Sequence, residues 1–394
     1  MKNFSNYNDY SLKKDLAFES KAIHGALGND PMTGAVSFPI FQTATFRHKA
    51  LGQSTGYDYS RLQNPTRQEL ERTMAILEEG TEAFAFSSGQ AANMALFTWL
   101  NPGDHLILSD DIYGGTFRIV DTIFHKYGVD YTYVDMSELD QVKAAITDKT
   151  KMFFIETPTN PMMKVADIQV LSDLAKSIGA ITVVDNTFLT PYFQRPLTLG
   201  ADVVVHSATK YIGGHNDTIS GIAVTNNEEI AAHMKIQLKS HGNGLAALDS
   251  WLLIRGLKTL PIRMDRHNEN AKVVAEWLRT QPKVKKVYYV GFPDHKDYEV
   301  TLKQTSGFGG MISFEMDSFE SVERILERVD MIMFAESLGG TETLITYPTR
   351  QTHEDVPMDR KEALGINDKF LRISIGLEYV NDIIRDLDQA MNGK

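Results

Sequence analysis

The sequence contains no cysteine, which excludes disulfides and thiolate metal sites alike. None of its 11 histidines falls in a His-Glu-x-x-His pair, so no metal centre is expected. No apolar run approaches the roughly 18 residues that would suggest a membrane-spanning helix, and no membrane partner is expected. The opening Met1-Lys2-Asn3-Phe4-Ser5 lacks the basic-then-apolar order of a secretion signal, so a cytoplasmic protein is expected. Positive charge is scarce: 40 lysines and arginines stand against 51 aspartates and glutamates, a net charge of -11. A nucleic-acid partner would need a basic footprint, and none is expected. Low-complexity blocks and internal repeats are also missing. What the chain does hold is core-forming material, 42% hydrophobic over 394 residues. At about 100 to 200 residues per domain, two domains are expected.

The stretch that carries chemistry runs from His206 to Asp217. Ala201-Asp202-Val203-Val204-Val205-His206 reads as a buried strand, and Lys210 follows it after small hydroxyl residues. Gly213 and Gly214 then let backbone come close, at the strand end where open α/β sheets bind ligands. Partial desolvation there disfavours the charged amine and makes a nucleophile of it. Taken alone, the stretch reads more readily as an ordinary exposed lysine at a strand end. Two earlier apolar runs change that reading: Met152 to Glu156, continuing to Asn160, and Ile181 to Asp185, continuing to Thr187. Three adjacent strands would deliver polar side chains to one rim. A carboxylate such as Asp185 beside a nucleophilic lysine is the pairing pyridoxal phosphate requires, since it keeps the pyridine nitrogen protonated and the ring able to accept electrons.

The block resembles the fold-type-I pyridoxal-phosphate enzymes of cysteine and methionine metabolism, and is most similar to cystathionine γ-synthases and γ-lyases. The resemblance implies a mainly parallel α/β cofactor domain with a smaller α/β C-terminal domain. It implies pyridoxal 5'-phosphate as cofactor, carried on Lys210. Strand-helix-strand alternation supports the same architecture: strands at 83–86, 104–109 and 221–225, and helices at 69–80, 167–179, 245–260, 319–329 and 379–391. Residues 1–60 show no sustained periodicity and read as an extended arm, 61–257 as the cofactor domain and 258–394 as the small domain, with the junction near Leu257 to Pro261.

Ser88-Gly89-Gln90 opens an apolar helical stretch, placing free amides at a helix N-terminus where a phosphate can sit. It is not a Gly-x-Gly-x-x-Gly loop, and alone reads as a cap. Ser207 and Thr209 join this cofactor set by resemblance. So does Tyr113, as the residue stacked on the pyridine ring and a member of the catalytic pair with Lys210. Tyr59 and Arg61 match residues that in relatives reach the phosphate of a neighbouring subunit, usually in a homotetramer built as a dimer of dimers with shared active sites. By the same resemblance Arg372 holds the substrate α-carboxylate, and Asn160, Arg118, Glu336, Ser337, Thr352 and Asp58 complete the substrate set. Arginine's planar fork suits a carboxylate bidentately. By residue type alone, Arg118 and Asp58 read equally as surface charges.

The substrates implied are small amino acids. Relatives that eliminate methanethiol carry an apolar residue at the position of Glu336 and a cysteine at that of Gly115, and enterobacterial-type β-lyases have tyrosine and tryptophan around the serine matching Ser337. This chain matches neither. Glu336 suits the distal ammonium of cystathionine, and the expected activity is γ-replacement on an O-acyl-homoserine with cysteine, with weaker cystathionine cleavage. The alternatives are γ- or β-elimination of sulfur amino acids, or a cofactor-binding regulator without turnover. The loop Tyr347 to His353 departs from the common His-Pro-Ala-x-Met-Thr-His form and leaves the acyl and sulfur partners open.

Overall fold

The computed structural model describes residues 15–26, 30, 32–354 and 356–393. Seven strands form the larger sheet: β1 (Glu82–Phe86), β2 (His105–Ser109), β3 (Asp130–Val134), β4 (Thr150–Glu156), β5 (Ile181–Asp185), β6 (Val203–His206) and β7 (Gly221–Thr225). Their order is β1-β7-β6-β5-β4-β2-β3, with β3, β2, β4, β5 and β6 parallel and β7 antiparallel to both its neighbours. A continuous apolar run is what a parallel strand covered on both faces requires. Val183, Val184, Val203 and Val204 are all fully buried, each side chain contributing about 1.5–3 kcal/mol by leaving water. The helices Pro65–Leu77 and Ala247–Leu257 cover one face, and Gly89–Phe97 and Glu228–His241 the other.

The smaller sheet contains β8 (Val284–Tyr288), β9 (Met311–Met316), β10 (Met333–Phe334), β11 (Leu344–Thr346) and β12 (Phe370–Ser374), in the order β10-β11-β12-β9-β8. It is antiparallel except for the β10–β11 pair. The helices Phe319–Arg328 and Val380–Asn392 lay their apolar stripes, Val322, Ile325, Ile383 and Leu387, on its core.

Several boundaries differ from the sequence reading. The helix expected over 69–80 begins at Pro65, because the Asn64 side chain accepts from the amides of Thr66 and Arg67 and proline needs no donor in a first turn. The arm contains a helix, Phe18–His24, held by burial of Ala22. Strand β3 was not read at all: Tyr131, Thr132 and Tyr133 are all half-buried, so its pattern is not that of an alternating strand. The 20-residue helix Leu260–Arg279 starts at the expected junction and lies on the core of the small sheet.

Candidate active site

The carboxyl ends of β2, β4, β5 and β6 face one rim, and each strand hands its last polar residues to it. Lys210 follows β6 in a turn closed by its own amide to the Ser207 carbonyl at 3.1 Å. Its Nζ donates to Ser337 Oγ at 2.9 Å. Burial, then the charge of Arg372, brings the amine down to about 8, while Glu336 pulls the other way. Ser337 lies at φ 109°, where side-chain-bearing residues rarely sit, a cost of about 1–3 kcal/mol. Two residues on, Gly339 at φ 74° lets the loop close on the Lys210 turn, because a Cβ there would lie 2.7 Å from the Tyr211 amide nitrogen.

Arg372, on β12 of the other sheet, is 1% exposed. Its Nη1 donates to Asn160 Oδ1 at 2.9 Å, and its Nη2 to the Ser337 carbonyl at 3.0 Å and Thr346 Oγ1 at 3.1 Å. Burial lowers the guanidinium to about 10. Lys210, Ser337, Arg372 and Asn160 are therefore one connected cluster. Glu336 is exposed beside it, its charge felt by Lys210, Arg372 and Tyr113.

A second group lies along β5 and β6. Asp185 Oδ1 accepts from the Thr187 amide at 3.0 Å and hydroxyl at 2.6 Å, and Thr187 Oγ1 accepts from the Ser207 amide at 2.8 Å. Burial raises the Asp185 carboxyl. Ser88 caps the helix Gly89–Phe97, accepting from the Ala91 amide at 3.0 Å. A Cβ on Gly89 would approach Ser207 to 3.1 Å, so the helix start and the β6 turn are in near contact. Gln90 donates to Thr116 Oγ1 at 3.4 Å, while its buried Oε1 has no hydrogen-bond partner among the described residues. Thr209 donates its hydroxyl to the Ser220 carbonyl at 3.1 Å. Tyr113, 40% exposed, precedes the short helix Gly114–Ile119, and burial raises its phenol.

Other expected residues stand apart. Arg61 Nη1 donates to the Lys239 carbonyl at 2.7 Å, and its guanidinium lies 5.5 Å from the Tyr59 ring centre, both on the surface. Asp58 is exposed and paired with His48 at 2.8 Å and Ser54 at 2.8 Å. Within one chain these three are tied to the arm and to the helix Glu228–His241. Arg118 is exposed, close enough to Tyr113 to act on its charge. Thr352 Oγ1 pairs with His353 Nδ1 at 2.9 Å, and its carbonyl packs where a Cβ on Gly114 would be 2.5 Å away. Two surface grooves of about 570 and 870 Å3 lie elsewhere, lined around β8 and around the helix Pro65–Leu77.

Sequence reasoning missed three buried groups at this rim. Glu156, at the end of β4 in register with Asp185, accepts from the Tyr113 amide at 3.0 Å; burial, then the Asp185 charge, lifts its carboxyl well above the usual range. Its signal was its place at the end of an apolar run. Asp111 is raised to about 6 and His353 lowered to about 3, burial being the main cause of each. His353 closed a loop already noted and Asp111 lay just past the strand read at 104–109, but nothing local marks them as buried together.

The sequence model for Cys/Met metabolism PLP-dependent enzymes matches residues 19–392. The chain belongs to this family. It is 47% identical to the cystathionine β-lyase of Lactococcus lactis subsp. cremoris, over 96% of this chain and all of that one. It is 46% identical to the cystathionine γ-synthase of Mycobacterium leprae, over 95% of this chain and 96% of that one. The solved cystathionine γ-lyase from Lactobacillus plantarum, complexed with L-serine, superposes with a TM-score of 0.93 at 42% identity, covering 95% of this chain and 98% of that one. As a member of the Cys/Met metabolism family the protein is a pyridoxal-phosphate-dependent enzyme.

The rim fits that cofactor on its own terms. Asp185 is a half-buried carboxylate at the end of β5; among the described residues its hydrogen bonds come from Thr187, and no lysine or arginine forms an ion pair with it. A protonated pyridine nitrogen is the cation such a group lacks. The first amides of the helix beginning at Gly89 have no intrahelical acceptor, which suits a phosphate. The partially desolvated Lys210 amine has the lowered basicity that suits a nucleophile toward the cofactor aldehyde.

Proposed function

We propose that the enzyme works on cystathionine chemistry, replacing the γ-substituent of an O-acyl-homoserine with cysteine. Arg372 takes the substrate α-carboxylate, with Asn160 and Ser337 fixing the guanidinium's orientation. Lys210 holds the cofactor and afterwards moves protons at Cα and Cβ. An amine near 8 keeps an appreciable neutral fraction at neutral pH, as a proton acceptor must. The cofactor, when bound, supplies the electron sink that stabilises the substrate carbanion. Tyr113 would stack on the ring, Asp185 would pair with its nitrogen, and Ser88, Gly89, Gln90, Ser207 and Thr209 would receive the phosphate.

The observation that carries this reading is Glu336. It is an exposed carboxylate beside the buried Arg372 and Lys210, so a ligand with a carboxylate at one end and an ammonium at the other meets complementary charge at both. Cystathionine has that form, and cysteine brings the ammonium as a co-substrate. A second reading, cleavage of cystathionine, uses the same charges and is favoured by the lyase activities named for two of the relatives. Steady-state assays with O-acyl-homoserine plus cysteine, and separately with cystathionine, distinguish the two. Faster consumption of O-acyl-homoserine is expected, and much faster cleavage of cystathionine would replace the synthase reading with the lyase one. Glu336→Gln is expected to weaken cystathionine binding about tenfold, the loss of one charge-assisted contact.

The arm completes the site of a second copy, within a homotetramer. Met32, Val36, Leu51 and Tyr59 are exposed on it, while its residues Phe38 to Phe41 dock on their own chain through Trp251, Thr66 and Asn64. Tyr59 and Arg61 would then contribute to a neighbour's phosphate site.

A further inference from the structure

Asp111, on the loop after β2, is a fully buried carboxylate that none of the roles above employs. Its Oδ2 accepts from Thr159 Oγ1 at 2.6 Å and from the Met162 amide at 2.8 Å. Those two donors bracket Asn160, whose Oδ1 is the acceptor for Arg372 Nη1 at 2.9 Å. Among the described residues the other Asp111 oxygen, Oδ1, has no hydrogen bond; it faces His353 Nε2 at 4.0 Å, an atom equally without one among them. His353 is 1% exposed, is joined through Nδ1 to Thr352 Oγ1 at 2.9 Å, and has the Asn160 backbone beside its ring. Three segments, from the ends of β2 and β4 and from the loop after β11, thus meet on one carboxylate.

We infer that Asp111, backed by His353, is a positioning residue for substrate binding: it holds the 159–162 loop so that Asn160 aims the Arg372 guanidinium at the substrate carboxylate. The inference rests on the role proposed for Arg372. Among the described residues the Asn160 carboxamide is the one hydrogen-bond partner of Arg372 Nη1, so a shift of that loop frees that arm of the fork. Loss of a buried acceptor also leaves Thr159 Oγ1 and the Met162 amide without their partner, which favours such a shift. Asparagine can substitute. Its oxygen accepts both donors, its amide faces His353 Nε2, and the imidazole proton moves to Nδ1, where the Thr352 hydroxyl can accept it.

The test uses the cofactor-loaded enzyme with cystathionine as substrate, and glycine as an unreactive carboxylate probe titrated by its effect on cofactor absorbance. Asp111→Ala is expected to raise KM and the glycine dissociation constant about tenfold, with kcat and the resting absorbance little changed. Thr159→Val, nearly isosteric, should shift both constants the same way by about threefold, and decides the matter if Asp111→Ala does not fold. Asp111→Asn should recover most of the affinity. Unchanged constants in Asp111→Ala or Thr159→Val, or an equal fall of kcat with loss of cofactor, would show a purely structural carboxylate. Arg372→Lys is the control. If it leaves glycine binding intact, the role of Arg372 fails and this inference with it; if it weakens binding while the Asp111 and Thr159 variants do not, only the inference fails.

Discussion

Replacing Arg372 by lysine separates charge from geometry at the substrate end of the site. Among the described residues the guanidinium makes three hydrogen bonds, to Asn160, Ser337 and Thr346; Nη2 uses both its hydrogens on Ser337 and Thr346, which leaves the second Nη1 hydrogen and the unpaired Nε–H for a carboxylate. A single ammonium on a shorter stem cannot satisfy Asn160 and Ser337 and still offer two donors to a ligand. Losing one of two charge-assisted contacts to the carboxylate costs about 1.5–3 kcal/mol, or roughly 10- to 150-fold in affinity. The positive charge stays, so its contribution to the lowered Lys210 amine should persist. Arg372→Gln removes that contribution and should let Lys210 move up from about 8. The assay is KM and kcat for cystathionine over pH 6.5 to 9.5, with glycine binding followed by cofactor absorbance. A KM within about threefold of the parent enzyme in Arg372→Lys would refute the carboxylate role. An identical basic limb in both variants would refute the electrostatic coupling to Lys210.

Mixing Arg61→Ala and Lys210→Ala proteins, each inactive alone, should restore activity on subunit exchange, because hybrids contain sites with both side chains intact. Proven exchange without recovery would make each site self-contained. Burial lowers the His267 ring to about 4, its Nδ1–H donating to the Ile375 carbonyl at 2.6 Å. A folded value below that of a free imidazole gives stability that is complete above about pH 6.5 and lost as the pH falls toward 4. Carboxyls raised by burial, Asp111 and Glu156 among them, act in the opposite sense, so the measurement is a difference. Between pH 7 and 5 the parent should lose about 2 kcal/mol of urea-derived stability relative to His267→Gln, and a flat difference would contradict the buried neutral ring.

The carboxyl-end rim was legible because a parallel sheet collects strand ends on one edge. Each of Met152 to Glu156, Ile181 to Asp185 and Ala201 to His206 is an apolar run followed by polar residues, and parallel pairing places those residues side by side. Lys210, Asp185 and the Ser88 cap could therefore be named from local pattern, and the motifs in their order were sufficient to indicate the family. Strand β3 escaped because an edge strand with both faces half-covered has no two-residue alternation to read.

Pairings between the two sheets had no local signal. Lys210 meets Ser337 across 127 residues and Arg372 meets Asn160 across 212, contacts that exist only once the small sheet packs over the rim of the large one. The same packing buries Asp111 against His353, so the loop from which the sequence reading took only Thr352 contributes His353 to the rim as well. Tyr59, Arg61 and Asp58 stay on the surface of their own chain, tied to the arm and to the helix Glu228–His241. Strand ends are set by hydrophobic periodicity, a property of neighbouring residues. Which buried polar atom meets which is set by packing, and that is a property of the whole chain.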